Sequence, residues 1–258
     1  MVAYSVVARG FGFARTAAAF EGLAVMAALA LPAFLAFALL AATDFPLVDE
    51  RLIAADGMLG FNWLSMNEAL RAHESVFKHG ETIYLSLRWQ PTLLVVVLAM
   101  TMRHLELWRF VTAWFVALAI TMVIFPFTPA VGGFIHYGLD HHDLPHLSEE
   151  SISGWYGIFD SVRSGTVYKL GANTITGIVT FPSFHAAAAV LLGYGYMAVN
   201  WLRWPMLALN VGLFVSSIVI GGHYLVDVLA GGLIAVIAIV IVRRLPYLRN
   251  NEASNSLG

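Results

Sequence analysis

Long apolar stretches alternate with short polar segments along most of the chain, and this pattern predicts membrane-spanning helices. Each of six stretches approaches the length needed to cross a bilayer, which is about 20 apolar residues of helix. The predicted spans cover about residues 20–42, 83–102, 108–127, 181–201, 204–220 and 223–242. The pattern therefore predicts an all-α fold, a bundle of six transmembrane helices in a single domain over residues 1–258.

The remaining segments are polar. Residues 44–82 mix acidic and aromatic side chains, so we expect short amphipathic helices at the membrane interface there, anchored by Phe61 and Trp63. The first apolar stretch is too long for the core of a typical signal peptide, so we expect it to stay as a span rather than be cleaved near Ala41. The tail, about 247–258, is rich in Asn and Ser, and we expect disorder there.

The composition also indicates a membrane protein. The chain is 59% hydrophobic and only 12% charged, which is fewer charges than a soluble domain of 258 residues carries. It has no cysteine, which excludes disulfides and thiolate zinc sites. The net charge of −2 says little about partners, whereas the distribution of charge says more.

Arginines and carboxylates fall on opposite sides of the predicted bundle. Six spans place both termini on one side, and that side holds most of the arginines in short segments, while the other holds most of the acidic residues. The positive-inside rule therefore predicts cytoplasmic termini. It also places the polar segment 128–180 and the starts of the fourth and sixth spans together on the outer face.

The sequence Thr-Phe-Pro-Ser-Phe-His stands at the start of the fourth span. Proline is tolerated at the first helical position, because its missing N–H would be unpaired there. We therefore expect Thr180 or Phe181 to cap the helix, and Ser183, Phe184 and His185 to form its first turn. The free backbone amides and the helix dipole favour an anion at this end, so the hydroxyl of Ser183 and the amides around Phe184 are candidate phosphate ligands.

A second polar element lies at the start of the sixth span. His223 and Asp227 would lie one helical turn apart on the same face. An ionised carboxylate within a span costs at least ~2.5 kcal/mol unless it is paired. We expect Asp227 to accept a hydrogen bond from Nδ1 of His223, which leaves Nε2 as the nucleophile. His185 could then donate a proton to the leaving group, while Arg163 or Lys169 neutralises the developing charge.

Each of these residues also has a structural alternative. A histidine–aspartate pair in a membrane protein is often only a structural hydrogen bond, proline followed by serine often only caps a helix, and loop cations are usually solvated. The joint pattern on one side of the membrane favours a site for phosphoryl transfer, since these alternatives do not predict it.

Two motifs resemble those of a known family. The segment Pro182–His185 and the stretch Gly222–Gly231, which begins Gly-His-Tyr-Leu-Val-Asp, are similar to the second and third motifs of the type 2 phosphatidic acid phosphatase superfamily. Those motifs read Pro-Ser-x-His and end in His-x-x-x-Asp. The likeness is closer to the branch of the inositol phosphorylceramide synthases, in which His-Tyr-x-x-Asp is usual. Further similarity to bacterial members of that branch covers Asp49 to Trp63, Phe125-Pro126 and Arg163 to Thr166.

The resemblance implies a six-helix membrane core and a phosphohistidine mechanism. It implies that His223 attacks phosphorus, oriented by Asp227, and that His185 protonates the leaving group and then activates water or an acceptor alcohol. It implies no metal and no other cofactor. It also implies a lipid substrate and a place in a bacterial inner membrane with the site facing outward; an internal eukaryotic membrane would turn the site toward a lumen.

The sequence departs from the family pattern twice. The third motif often begins Ser-Arg, seven and six residues before its histidine, where this chain has Ser216 and Ser217. Ser216 therefore stays a candidate phosphate ligand, and one arginine is missing, as it is in the synthase-like branch. The first motif, Lys-x6-Arg-Pro, is not present as such. We expect Arg163 or Lys169 to substitute by position and charge.

These residues favour a lipid phosphatase acting on a phosphomonoester or a pyrophosphate. A lipid headgroup transferase uses the same histidine chemistry, so this alternative stays open, as does an inactive relative that serves as a binding protein. Metal binding is a further alternative, although the adjacent residues His141 and His142 converge poorly without a regular scaffold. The candidate metal ligands are His136, His141, His142 and His146. We expect no nucleic-acid partner, and the sequence leaves the oligomeric state open.

Overall fold

A computed structural model describes residues 1–154, 156–166 and 179–248, and within them the chain is all helical, as predicted. The described residues include short 3-10 turns at Ser86–Arg88, Phe125–Phe127 and Pro246–Leu248. The helices are α1 (Val2–Gly10), α2 (Ala14–Leu40), α3 (Asp49–Met58), α4 (Trp63–Leu70), α5 (Glu74–Leu85), α6 (Gln90–Met100), α7 (His104–Ile124), α8 (Gly132–His136), α9 (Glu149–Ser153), α10 (Tyr156–Arg163), α11 (Phe184–Tyr196), α12 (Arg203–Val219) and α13 (Leu225–Arg244).

Each of the six predicted spans contains an apolar helix, but not all are long enough to cross a membrane unaided. Within the described residues, three stretches pass by length and composition, and they are Ala14–Leu40, His104–His136 and Leu225–Arg244. A fourth is added if α5 and α6 form one bent span. Helix α11 has 13 residues and α12 has 17. The structure thus supports a membrane protein with three or four clear spans, and the six-span bundle stays a prediction.

The second predicted span, 83–102, contains a break in the structure. Helix α5 ends at Leu85, and the chain turns by 53° before α6 begins at Gln90. Pro91 lies in the first turn of α6, where its missing N–H is tolerated, whereas a proline inside a continuous helix would remove a hydrogen bond and clash with the preceding turn. The break places the residues just before it at the end of the bundle where α13 begins.

The polar segment 44–82 forms short helices as predicted, but its aromatic residue Trp63 is not an interfacial anchor. The indole is only 2% exposed, it stacks against Tyr137, and its Nε1–H donates to the carbonyl of Ile218 at 3.2 Å. The predicted anchor therefore packs inside the protein. The predicted tail also needs a correction, because residues 247–248 belong to a 3-10 turn; the residues after 248 lie outside the described part.

Two apolar clusters pack against helix α13 and its start. The larger fills the space between α6, α7, α11 and α13 and includes Leu98, Phe110 and Leu191. The second joins the segments 48–77 and 130–152 to the end of α12 and the start of α13, with Phe134 and Tyr224 among its members. The segments 48–77 and 130–152 are therefore packed over the end of α12 and the start of α13.

Candidate active site

The Pro182–His185 motif stands at the start of helix α11, but the helix cap differs from the prediction. Ser183 is the N-cap, and its hydroxyl accepts a hydrogen bond from the backbone N–H of Ala186 at 3.3 Å. Neither Thr180 nor Phe181 caps the helix, and Pro182 precedes the first turn. A serine hydroxyl can satisfy one of the unpaired N–H groups at a helix start, which a phenylalanine side chain cannot do.

This cap changes the expected role of two residues. Ser183 is fully buried, so its hydroxyl serves the helix and does not stand open as a phosphate ligand. The Phe184 ring packs edge-on against Trp114, with ring centroids 5.2 Å apart, so only its backbone amide could bind an anion. We therefore place these two candidates at the edge of the site rather than in direct contact with a phosphate.

The two motifs lie against each other. The backbone N–H of Ser183 donates to the carbonyl of Asp227 at 3.2 Å. A Cβ atom at Gly231, one turn further along α13, would overlap the carbonyl oxygen of Ser183. The start of α11 thus rests directly on the backbone of α13, which places the residues of both motifs at one end of the bundle.

The structure brings the two motif histidines together. The rings of His185 and His223 have centroids 6.1 Å apart, with 50° between their planes. His223 lies in the loop before α13, so the predicted helical relation between His223 and Asp227 is wrong, since the helix begins at Leu225. His185 is the second residue of α11.

Asp227 lies beside His223, but the predicted hydrogen bond is not formed. Its Oδ2 is 3.5 Å from Nδ1 of His223 and accepts a hydrogen bond from the backbone N–H of Tyr224 at 3.1 Å. Among the described residues, Nδ1 of His223 and Oδ1 of Asp227 have no hydrogen-bond partner. The carboxylate is fully buried, and it is placed to stabilise positive charge on the imidazole.

Burial determines the protonation state of His223. Burial lowers the pKa of His223 to about 4, and a hydrogen bond with the backbone of Thr180 opposes this shift. The imidazole is therefore neutral at pH 7, which is the form with a lone pair available for nucleophilic attack.

This geometry can be compared with known families. The profile of the PAP2 superfamily, that of the type 2 phosphatidic acid phosphatases, matches residues 50–241, which include both histidine motifs. The chain belongs to the PAP2 superfamily. No curated protein and no solved structure gives a significant match. Members of the PAP2 superfamily are typically phosphatases, so a phosphatase-type activity is expected in general terms.

One of the two cations predicted to bind phosphate, Arg163, is bound elsewhere in this PAP2 protein. The Arg163 guanidinium donates to the carbonyls of Thr43 and Phe45 at 2.9 and 2.8 Å, and it lies over the Phe159 ring. Those contacts hold the end of α10 against the segment after α2. Lys169 lies outside the described residues.

Ser216 is also engaged elsewhere. Its buried hydroxyl donates to the carbonyl of Leu213 at 3.0 Å, within α12. The hydroxyl of Ser216 therefore donates within its own helix, which does not support its predicted role in phosphate binding. The backbone of α12 does contribute, because the carbonyl of Ser217 accepts the N–H of His223 at 3.2 Å.

Tyr84 and Arg88 belong to the site, although no motif in the sequence indicates them. The Tyr84 ring stacks on His185, with centroids 4.4 Å apart and 12° between planes. Arg88 lies close enough for its charge to act on both rings. The only sequence signal was a cation just before Pro91, near the outer end of a predicted span. Arg88 lies at the bend between α5 and α6, and this bend places it near His185.

Two buried aspartates of α3 also reach the site. Asp49 is 3% exposed and accepts a hydrogen bond from the hydroxyl of Tyr224 at 3.0 Å. Asp56 is 1% exposed and accepts the backbone N–H groups of Leu225 and Val226. Burial raises the pKa of Asp56 above its usual value, and these two hydrogen bonds offset only part of that rise. The sequence pattern predicts an interfacial segment for both residues and indicates no role for them in the site.

The histidines between residues 136 and 146 do not form a metal site in the described part of the chain. No group of three His, Asp or Glu side chains there converges on a point that could hold a metal ion. His141 contacts the carbonyl of Leu147, while Asp143 lies 3.5 Å from Arg71. His136 lies 3.6 Å from Glu50, so these side chains have separate partners.

Proposed function

We propose that this PAP2 protein is a metal-independent lipid phosphatase that hydrolyses a lipid phosphomonoester or pyrophosphate through a phosphohistidine. The main support is the pair His185 and His223, with ring centroids 6.1 Å apart at the head of α11 and just before α13. At this separation one phosphoester can contact both imidazoles. The membership in a superfamily of phosphatases and the long apolar helices support the reaction class and the membrane setting.

In the first step, the imidazole of His223 attacks phosphorus, and the bond between phosphorus and the lipid oxygen breaks. His185, in its protonated form, donates a proton to that oxygen, so the lipid leaves as an alcohol or a monophosphate. The phosphohistidine carries positive charge on its ring, and Asp227, 3.5 Å from Nδ1, stabilises it. In the second step, His185 takes a proton from water, which attacks phosphorus and releases inorganic phosphate and free His223.

Tyr84 and Arg88 complete this assignment. Stacking on Tyr84 holds the His185 ring in one orientation. A phosphoryl group in transfer carries negative charge on its equatorial oxygens, and a guanidinium is suited to bind them. We therefore assign to Arg88, in place of Arg163 or Lys169, the role of the basic residue missing from the third motif.

We expect Arg88→Gln to lower kcat/KM for lipid phosphate hydrolysis by about 10²- to 10³-fold, because loss of one charge-stabilising group typically costs this much. The measurement is the initial rate of phosphate release over a range of substrate concentrations. Arg163→Gln is the matched comparison, since its guanidinium is bound to loop carbonyls. An equal loss in Arg163→Gln with little loss in Arg88→Gln would return the role to Arg163.

The experiment that tests the function measures phosphate release by the purified protein in EDTA. The substrates are phosphatidate, phosphatidylglycerophosphate and prenyl diphosphates, each dispersed in the same detergent. We expect release from at least one lipid, at a rate that EDTA does not change. Activity that disappears in EDTA and returns with zinc would contradict the metal-independent mechanism, and no release from any of them would contradict the phosphatase.

A second candidate is a lipid headgroup transferase, in which a lipid alcohol replaces water in the second step. Its support is the His223-Tyr224 pair, together with serine at both positions 216 and 217, a pattern that resembles the inositol phosphorylceramide synthase branch. The discriminating measurement is headgroup exchange between two added lipids. Exchange without release of inorganic phosphate would favour the transferase.

We also propose the orientation in the membrane. The excess of arginine on the side of the termini supports cytoplasmic termini and a site at the outer face of a bacterial inner membrane. A site at that face can receive lipid phosphates from the outer leaflet.

A further inference from the structure

The start of α13 is capped by carboxylates from two parts of the chain. The first N–H groups of a helix have no partner within it. Here the N–H of Tyr224 donates to Asp227 at 3.1 Å, and those of Leu225 and Val226 donate to Asp56 at 2.9 and 2.8 Å. Asp56 lies on α3, more than 160 residues earlier. Helix α3 therefore supplies the cap of the helix that follows His223.

Asp49 holds the other elements around the same loop. It lies seven residues before Asp56, two turns away on the same face of α3. Its carboxylate accepts the hydroxyl of Tyr224 at 3.0 Å and the backbone N–H of Gly132 at 2.9 Å. The neighbouring N–H of Gly133 donates to the carbonyl of Gly222 at 2.7 Å.

The residues immediately before and after His223 in the sequence are therefore both held in place. Its predecessor Gly222 is bound by the segment that Asp49 organises, and its successor Tyr224 is bound by Asp49 itself. A Cβ atom at Gly132, where φ is +72°, would lie 2.9 Å from the Gly222 carbonyl, so the two loops approach closely. The hydrogen bonds of these two buried carboxylates converge on the loop of His223 and on the start of α13.

A structural cap alone does not require this arrangement. A buried carboxylate is costly unless it is fully hydrogen-bonded, and a Ser or Asn side chain at the N-cap holds a helix start without a buried charge. Asp56 also occupies the amides that would otherwise attract a phosphate to the start of α13. A phosphate is thereby directed away from that helix end and toward the histidines.

We propose that Asp49 and Asp56 are positioning residues, and that α3 acts as a clamp that fixes His223 relative to His185. This inference rests on the proposed function, in which His223 is the nucleophile. A displacement of about 1 Å in a reacting group can cost about 10²-fold in rate, so a clamp on the His223 loop bears directly on catalysis.

The test variant is Asp56→Asn. Each carboxylate oxygen of Asp56 accepts one N–H, from Leu225 or from Val226. A carboxamide puts a donor NH2 in the place of one of these oxygens, so one of the two hydrogen bonds is lost. We expect kcat to fall by about 10- to 100-fold, with KM changed by less than about twofold, because substrate binding is kept while the nucleophile is misplaced. The matched control is Glu50→Gln, on the same helix with a side chain that is 85% exposed, and it should keep the native kcat.

Hydrogen exchange measured by mass spectrometry gives a readout that needs no activity. We expect faster amide exchange in the peptide containing residues 224–226 of Asp56→Asn, and native exchange there in Glu50→Gln. Unchanged exchange in Asp56→Asn overturns the clamp. Faster exchange with native kcat overturns the positioning role. An inactive wild-type protein would defeat the proposed function, while the exchange result would still decide whether the clamp exists.

Tyr224→Phe serves if Asp56→Asn does not fold. It removes only the hydroxyl that donates to Asp49 and keeps the buried ring. We expect a smaller fall in kcat, about 3- to 10-fold or roughly the value of one hydrogen bond, with KM unchanged. A native kcat in Tyr224→Phe would overturn the role of Asp49.

Discussion

His223→Ala is expected to reduce phosphate release from lipid phosphates on the order of 10⁴- to 10⁶-fold, because removal of a nucleophile eliminates the covalent path. The measurement is phosphate release in EDTA, together with a search for acid-labile phosphoprotein after brief incubation. His223→Ala should form none. His136→Ala is the matched control, since this histidine lies near Glu50 and outside the site, and it should keep native activity.

His185→Ala separates the two chemical steps. With an activated leaving group such as p-nitrophenol, the first step needs no acid, whereas the attack of water still needs the base. We therefore expect this variant to accumulate phosphohistidine at residue 223. Phosphate release that survives in His223→Ala, or phosphate found on another residue, would contradict the assignment of the nucleophile.

Gly231→Ala is expected to destabilise the protein by about 1–3 kcal/mol or more, and to remove activity in what still folds. The new Cβ would overlap the carbonyl oxygen of Ser183 and lie 3.2 Å from the Cβ of Ala186. A backbone oxygen cannot move without displacing the start of α11, and His185 moves with it. The measurement is the melting temperature in detergent, with activity measured on the fraction that remains folded.

Gly193→Ala is the matched control, on α11 itself. Its Cβ would meet side chains of Leu207 and Asn210 at 3.6 and 3.8 Å, which are ordinary contacts. Because alanine favours a helix over glycine by about 1 kcal/mol, this variant should be at least as stable as the native protein. Native stability in Gly231→Ala would show that α11 and α13 do not approach as closely as described.

Much of the helical framework could be predicted from the sequence. Hydrophobic stretches reflect a local requirement, since apolar side chains must leave water, and each predicted span does contain an apolar helix. Exact ends were harder to predict. Both Pro182 and Ser183 are suitable at a helix start, and only the hydrogen bond from Ala186 to the serine hydroxyl decides between them.

Some residues of the candidate site could also be predicted from the sequence, and others could not. His185, His223 and Asp227 could be selected because their spacing and their resemblance to family motifs lie within short stretches of sequence. Arg163 was selected only by its position and charge, and the structure places its guanidinium on the carbonyls of Thr43 and Phe45. The charge of a loop residue does not determine where its side chain lies, because the path of the loop depends on what its apolar neighbours pack against.

The sequence by itself determined the membrane character, the helical class and the histidine pair, because each depends on local composition or on a short motif. Only the tertiary structure decided that Arg88 and Tyr84 approach His185, and that Asp49 and Asp56 hold the loop of His223. These contacts join residues about 100 to 175 positions apart. They arise from the packing of whole helices, so no local pattern in the sequence contains them.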